Sequence, residues 1–180
     1  MFKLQQKRKE EDEKKAAQPS LDKQMSIRSR FLTQEISDLN TLLPETCSLR
    51  FQDVNDLRKF ELIVTPNEGH WKGGKFVFEV SVPIEYNIKP PSVLCKTRLW
   101  HPNIMEDGKI CLSILREQTV DGTGWLPTRS LKDVVWGLNS LFTDLLNFDD
   151  PLNIEAAEQY VRDQYEFDRK VREYVRKYAS

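Results

Sequence analysis

The sequence predicts an α+β domain, with strands and helices gathered in separate parts of the chain. Two patterns carry that expectation. Between residues 47 and 97, apolar residues alternate with polar ones in short runs separated by turn residues, the period of a strand with one covered face. On either side of that stretch apolar residues return at three- and four-residue steps, the period of an amphipathic helix. Strands that follow one another directly favour an antiparallel meander over a parallel sheet wound with helices.

The first helix is marked by Ile27, Phe31, Leu32, Ile36, Leu39 and Leu43, and Pro44 stops it. In the strand region Cys47, Leu49 and Phe51 alternate with Ser48 and Arg50. Phe60, Leu62 and Val64 alternate with Glu61 and Ile63. Phe76, Phe78, Val80 and Val82 alternate with Val77, Glu79 and Ser81. A fourth run, Val93 to Thr97, follows Pro90-Pro91. Next comes HPNIMEDGKICLSIL, His101 to Leu115, a tight turn and then a short apolar stretch holding Cys111. The chain is irregular from there to about Arg129, with Asp121-Gly122-Thr123-Gly124 as an exposed loop. Ser130 is placed to cap a helix with Asp133 in its first turn. Its apolar stripe, Leu131, Val134, Val135, Leu138, Leu141, Phe142 and Leu145, extends towards a break at Asp149-Asp150-Pro151. Two shorter helices are expected near 153–161 and 164–178.

The chain has 180 residues, enough for one domain and a tail. Residues 1 to about 25 are mostly charged and polar and could not bury enough apolar surface to order themselves. Met1, Phe2 and Leu4 are exceptions at the extreme end. They are either an untrimmed start or a short docking peptide on a flexible lead. The domain proper is expected over 26–180. A net charge of −1 argues against nucleic acid as the main partner. No apolar run approaches the roughly 18 residues that would span a bilayer, and the start lacks the apolar core of a secretory signal. Three cysteines, an odd number in a chain of this length, suggest a reducing compartment. Their spacing with the two histidines matches no zinc pattern, and no metal or cofactor is expected.

Cys111 is the candidate nucleophile. It stands eight positions after Asn103, behind His101-Pro102 and with Gly108 between. A thiol can carry an acyl group as a thioester, and a carboxamide N–H can stabilise the oxyanion formed when an amine attacks it. Taken alone the pattern is weak: a cysteine in an apolar run is more often a buried small hydrophobe than a nucleophile, and Asn and Pro are common in turns. Cys47 and Cys95 sit in strand runs and are read as sheet residues. No histidine is spaced as a dedicated base, which disfavours a Cys-His hydrolase.

Over about 27–178 the chain resembles the ubiquitin-conjugating enzyme family. The resemblance rests on features in order: Pro66, Gly69, Trp71, Gly73-Gly74 and Phe76; Pro83, Tyr86 and Pro90-Pro91; His101-Pro102-Asn103 followed by Gly108, Ile110, Cys111 and Leu112; Trp125 and Pro127; and Asp150-Pro151-Leu152. It implies the conjugating fold: an N-terminal helix, a four-stranded antiparallel meander, a catalytic cysteine loop and C-terminal helices. It also implies that Cys111 accepts a ubiquitin-like modifier from an activating enzyme as a thioester and passes it to a lysine. Asn103 would support the oxyanion, Asp150 or its neighbour Asp149 would orient the lysine and take its proton, and His101 would be structural. Ile88 and Leu126-Pro127-Thr128 match positions that contact RING ligases. ATP and Mg²⁺ belong to the activating enzyme.

Met1-Phe2-Lys3-Leu4, Pro66-Asn67-Glu68-Gly69, Leu115-Arg116-Glu117 and Asn153-Ile154-Glu155-Ala156-Ala157-Glu158 look like the branch that conjugates the Nedd-type modifier to cullins. The resemblance then implies these partners: that modifier, its heterodimeric activating enzyme, a RING-box ligase with a cullin, and a Dcn-like co-ligase. Met1, Phe2 and Leu4 would dock on the activating enzyme and co-ligase. A monomer working in cytoplasm and nucleus is expected. The stretch from Cys111 to Trp125 is longer than is usual in the family, by residues around Gln118 to Gly124. This insertion resembles one neddylation subtype, whereas the opening of the tail looks more like the other. A ubiquitin-specific conjugating enzyme and a non-catalytic module of the same fold are the alternatives.

Overall fold

A computed structural model describes residues 27–117, 122–148 and 150–180. Helix α1 occupies 27–42. Four strands follow, β1 (Cys47–Phe51), β2 (Lys59–Val64), β3 (Phe76–Ser81) and β4 (Ser92–Cys95), paired antiparallel in the order β1-β2-β3-β4. The meander expected from the alternation is therefore present. Its register sets Leu49, Leu62, Phe78 and Cys95 side by side on one face. Arg50, Glu61 and Glu79 form a rung on the other, where Arg50 pairs with Glu61. A one-residue slip would exchange the two faces, so burial of one fixes the register.

The covered face joins a single core. It takes in Leu32, Ile36 and Leu39 of α1, Val134, Val135 and Leu138 of α2 (Leu131–Ser140), and Phe167 and Val171 of α4 (Gln164–Tyr178). Helix α3 (Ile154–Arg162) lies between the last two in sequence. Asp133 accepts from both the backbone N–H and the hydroxyl of Ser130, at 2.8 and 3.0 Å, which starts α2 where the sequence places it. Asn153 and Asp163 cap α3 and α4 with their side chains.

Two boundaries differ from the sequence reading. Strand β4 ends at Cys95, because Thr97 Oγ1 takes the Val77 N–H at 3.0 Å in place of a backbone carbonyl. Helix α2 ends at Ser140, well before Asp149-Asp150-Pro151. His101 Nε2 lies 2.8 Å from the Leu141 carbonyl oxygen, the acceptor a continuing helix would offer to Leu145. The Leu145 N–H turns instead to the Ser140 carbonyl at 2.9 Å. Leu141 and Phe142 stay in the core, but Leu145 is 48% exposed. The expected stripe therefore overran the helix by three residues, Leu141, Phe142 and Leu145, of which only Leu145 is left exposed.

Candidate catalytic site around Cys111

The segment from Asn103 to Cys111 is a small hairpin. The Cys111 N–H donates to the Asn103 carbonyl at 2.8 Å, and Met105 N–H donates to Lys109 O at 2.9 Å. The eight-residue spacing thus becomes direct opposition of the two residues. Gly108 makes the turn possible. Its φ is +91°, and a Cβ there would collide with the carbonyl oxygen of Cys95. Close approach lets the Gly108 carbonyl accept the Cys95 N–H at 2.9 Å, which docks the hairpin on β4.

Each residue of the His-Pro-Asn tripeptide is tied to the segment after α2. His101 reaches Leu141 O, as above. The Pro102 carbonyl accepts the Asn153 N–H at 2.8 Å. Asn103 Nδ2 donates to Asn147 O at 2.9 Å, and the Asn147 N–H returns a bond to Asn103 Oδ1 at 3.0 Å. Asn103 is buried. Only one of its two amide hydrogens is occupied by that bond. Asn147 Oδ1 accepts the Asp150 N–H at 3.0 Å. The two polar candidates, Asn103 and exposed Asp150, are therefore joined through one intervening residue. Asp149 lies outside the described residues.

Cys111 is half-buried, and Arg116 Nη2 donates to its Sγ at 2.9 Å. The other two thiols face different conditions. Burial pushes Cys47 up to about 11 and Cys95 up to about 12, so neither supplies thiolate at neutral pH.

Both histidines are held by the fold. His70 Nδ1 pairs with Asp168 and its ring meets Trp71, Tyr160 and Phe167 edge-on. His101 is fully buried, and its Nδ1 accepts the Asn103 N–H at 2.9 Å. That leaves Nε2–H as the donor to Leu141 O and a neutral ring. Burial lowers the His101 pKa from 6.5 to about 4. An unfolded chain protonates this ring below about 6.5, the folded one only near 4. The stability it contributes is complete above about 6.5 and declines as pH falls towards 4, by about 3 kcal/mol in total. Imidazole NMR signals of His101 should stay constant from pH 8 to 5; a midpoint near 6.5 would refute the assignment.

The expected ligase-contact residues fall on one ridge. Ile88 is 59% and Leu126 45% exposed, with Pro127 and Thr128 exposed beside them. Asn87 holds the two loops together: its Nδ2 donates to Pro127 O and its carbonyl accepts Trp125 Nε1–H, both at 2.7 Å. Glu35 of α1 anchors the ridge from below. Its Oε2 accepts the Tyr86 hydroxyl at 2.6 Å and the Leu131 N–H at 3.2 Å. Met1, Phe2 and Leu4 lie outside the described residues.

Sequence reasoning gave no role to Arg116, Asn147 or Glu35. Arg116 had a signal, since it stands five positions after the cysteine. Asn147 and Glu35 had none, because their contacts are made only in the folded chain.

Comparison with known proteins agrees with this geometry. The family model described as "Ubiquitin-conjugating enzyme" matches residues 31–175. The chain is 60% identical over 157 residues to the NEDD8-conjugating enzyme UBE2F of Bos taurus, covering 87% of this chain and 85% of that protein. It is 54% identical to the Rattus norvegicus protein of the same name, covering 99% of this chain and all of that protein. The NEDD8-conjugating enzyme ubc-12 of Caenorhabditis elegans is 47% identical, over 88% of this chain and 91% of its own length. With the meander, the hairpin and the tied His-Pro-Asn turn in place, the chain belongs to the ubiquitin-conjugating enzyme family.

Proposed function

We propose that this chain is a NEDD8-conjugating enzyme. The observation that carries the reading is the hairpin that sets Cys111 opposite Asn103, in a chain whose relatives at 54–60% identity bear that name. Cys111 Sγ attacks the carbonyl carbon of the modifier thioester held by a heterodimeric activating enzyme. A C–S bond forms to Cys111, and the donor cysteine leaves as thiolate. In the second step a lysine amine attacks the new thioester, an amide forms, and Cys111 leaves as thiolate.

The unpaired amide hydrogen of Asn103 serves the oxyanion of that second step, where preorganised donors count most. Asp150 accepts the lysine proton. A carboxylate cannot make the lysine neutral through its charge, since it favours the ammonium form; its part is to orient the amine and receive the proton once the C–N bond forms.

The ridge of Ile88, Leu126, Pro127 and Thr128 is the face for a RING-box ligase, which brings a cullin lysine to Cys111. Met1, Phe2 and Leu4 dock on the activating enzyme and on a Dcn-like co-ligase, in cytoplasm and nucleus. Similarity through 99% of the chain to the rat relative supports extending the comparison to this tail. Higher identity to the UBE2F-named relatives than to the ubc-12-named one favours the subtype with the insertion near Gln118 to Gly124.

A charging assay tests the reading. The full chain, ATP and either a NEDD8- or a ubiquitin-activating enzyme are mixed and run on a non-reducing gel. A thiol-sensitive adduct is expected with the NEDD8 system alone. An adduct formed only with ubiquitin would reassign the modifier.

A further inference from the structure

We infer that Arg116 is a catalytic residue, whose guanidinium contacts Cys111 Sγ and stabilises the negative charge that the sulfur carries as it attacks and regains on discharge. This rests on Cys111 being the acceptor.

The geometry supplies the contact. Arg116 Nη2 lies 2.9 Å from Sγ, and the guanidinium donates. The main chain beneath it is fixed although the side chain is exposed. The Arg116 N–H donates to Ser113 O and its carbonyl accepts the Trp125 N–H, both at 2.9 Å. It ends a 3-10 turn, Ser113–Leu115, anchored by buried Ile114.

The charge is also uncommitted. Arg50, Arg58, Arg98, Arg169 and Arg172 each pair with a carboxylate. Among the described residues no carboxylate pairs with Arg116, and its hydrogen-bond acceptor is the thiol sulfur. A hydrogen bond from a cation is stronger to an anionic than to a neutral acceptor. The contact with Arg116 is therefore strongest when Sγ is anionic, as it is in the attacking nucleophile and the departing leaving group. In the acylated protein the sulfur is neutral and the contact weakens. When the lysine C–N bond forms and the C–S bond breaks, the electron pair returns to Sγ and the contact strengthens again. An interaction that grows as charge develops lowers the barrier rather than merely binding the ground state.

The test is alkylation of the full-length protein by iodoacetamide, a neutral electrophile, with each cysteine followed by peptide mass spectrometry. Arg116→Gln should slow alkylation of Cys111 at pH 7 about three- to tenfold, the range for a charge-assisted hydrogen bond partly screened by water. Arg116→Lys should stay near wild type. Alkylation of Cys111 in Arg116→Gln at the wild-type rate would overturn the inference. So would slowing in both variants accompanied by labelling of buried Cys95, since the effect would then be structural. Charging of Cys111→Ala, run in parallel, tests the acceptor separately: an adduct that persists there removes that assignment and leaves the alkylation comparison readable.

Discussion

Cys111→Ala will form no adduct with the modifier, and Cys111→Ser will form one that survives reducing agent. The serine hydroxyl attacks the same carbonyl, loses its proton to solvent and yields an ester, which thiols do not reverse under gel conditions. Alanine offers no nucleophile. Neither remaining cysteine is a substitute. Cys95 is buried in strand β4, and desolvation raises both it and Cys47 far above neutral pH. The expected effect is therefore complete loss of thiol-sensitive charging. Non-reducing and reducing gels run side by side make the distinction. A reductant-sensitive band in Cys111→Ala would place the acceptor elsewhere.

Asn103→Ala is expected to leave charging near normal and slow discharge to lysine by about 10²–10³, the range for loss of an oxyanion donor. The side chain also has a structural part. Its removal deletes two part-buried hydrogen bonds to the Asn147 backbone, a loss of about 0.5–1.5 kcal/mol each. The two effects separate in the measurements. Single-turnover discharge of preformed adduct reports the chemistry, and a thermal melt reports the loop. A variant that charges and discharges normally but melts early would show that Asn103 only holds the turn.

The strands were legible because one covered face imposes a two-residue period, which puts Leu62 and Phe78 on that face; their cross-strand partners appear only in the folded sheet. The start of α2 at Ser130 was legible because capping chemistry is local; the caps Asn153 and Asp163 of the later helices were not singled out. The end of α2 was not. It depends on a histidine ring forty residues earlier taking the Leu141 carbonyl, and no local signal announces such a bond. The site divides in the same way. Cys111 and Asn103 stand on one hairpin, so their spacing is informative. Asn147 meets Asn103 through its backbone, which any residue carries, and its side-chain bond to the Asp150 N–H is made only in the folded chain. Arg116 was within reach of the cysteine in sequence, but an arginine near a turn is ordinarily a solvated surface charge.

The hairpin has a second duty, in solubility. An open sheet presents two edges of unpaired backbone groups, and such edges recruit strands from other chains. In this sheet β4 is one edge and β1 the other. The hairpin lies along the β4 side, with the Gly108 carbonyl already taking the Cys95 N–H. The β1 edge is protected by its shortness, five residues. The chain thus places its reactive turn where a self-associating edge would otherwise lie, and a substitution that loosened the turn at Gly108 would expose a sticky strand as well as disarm the thiol.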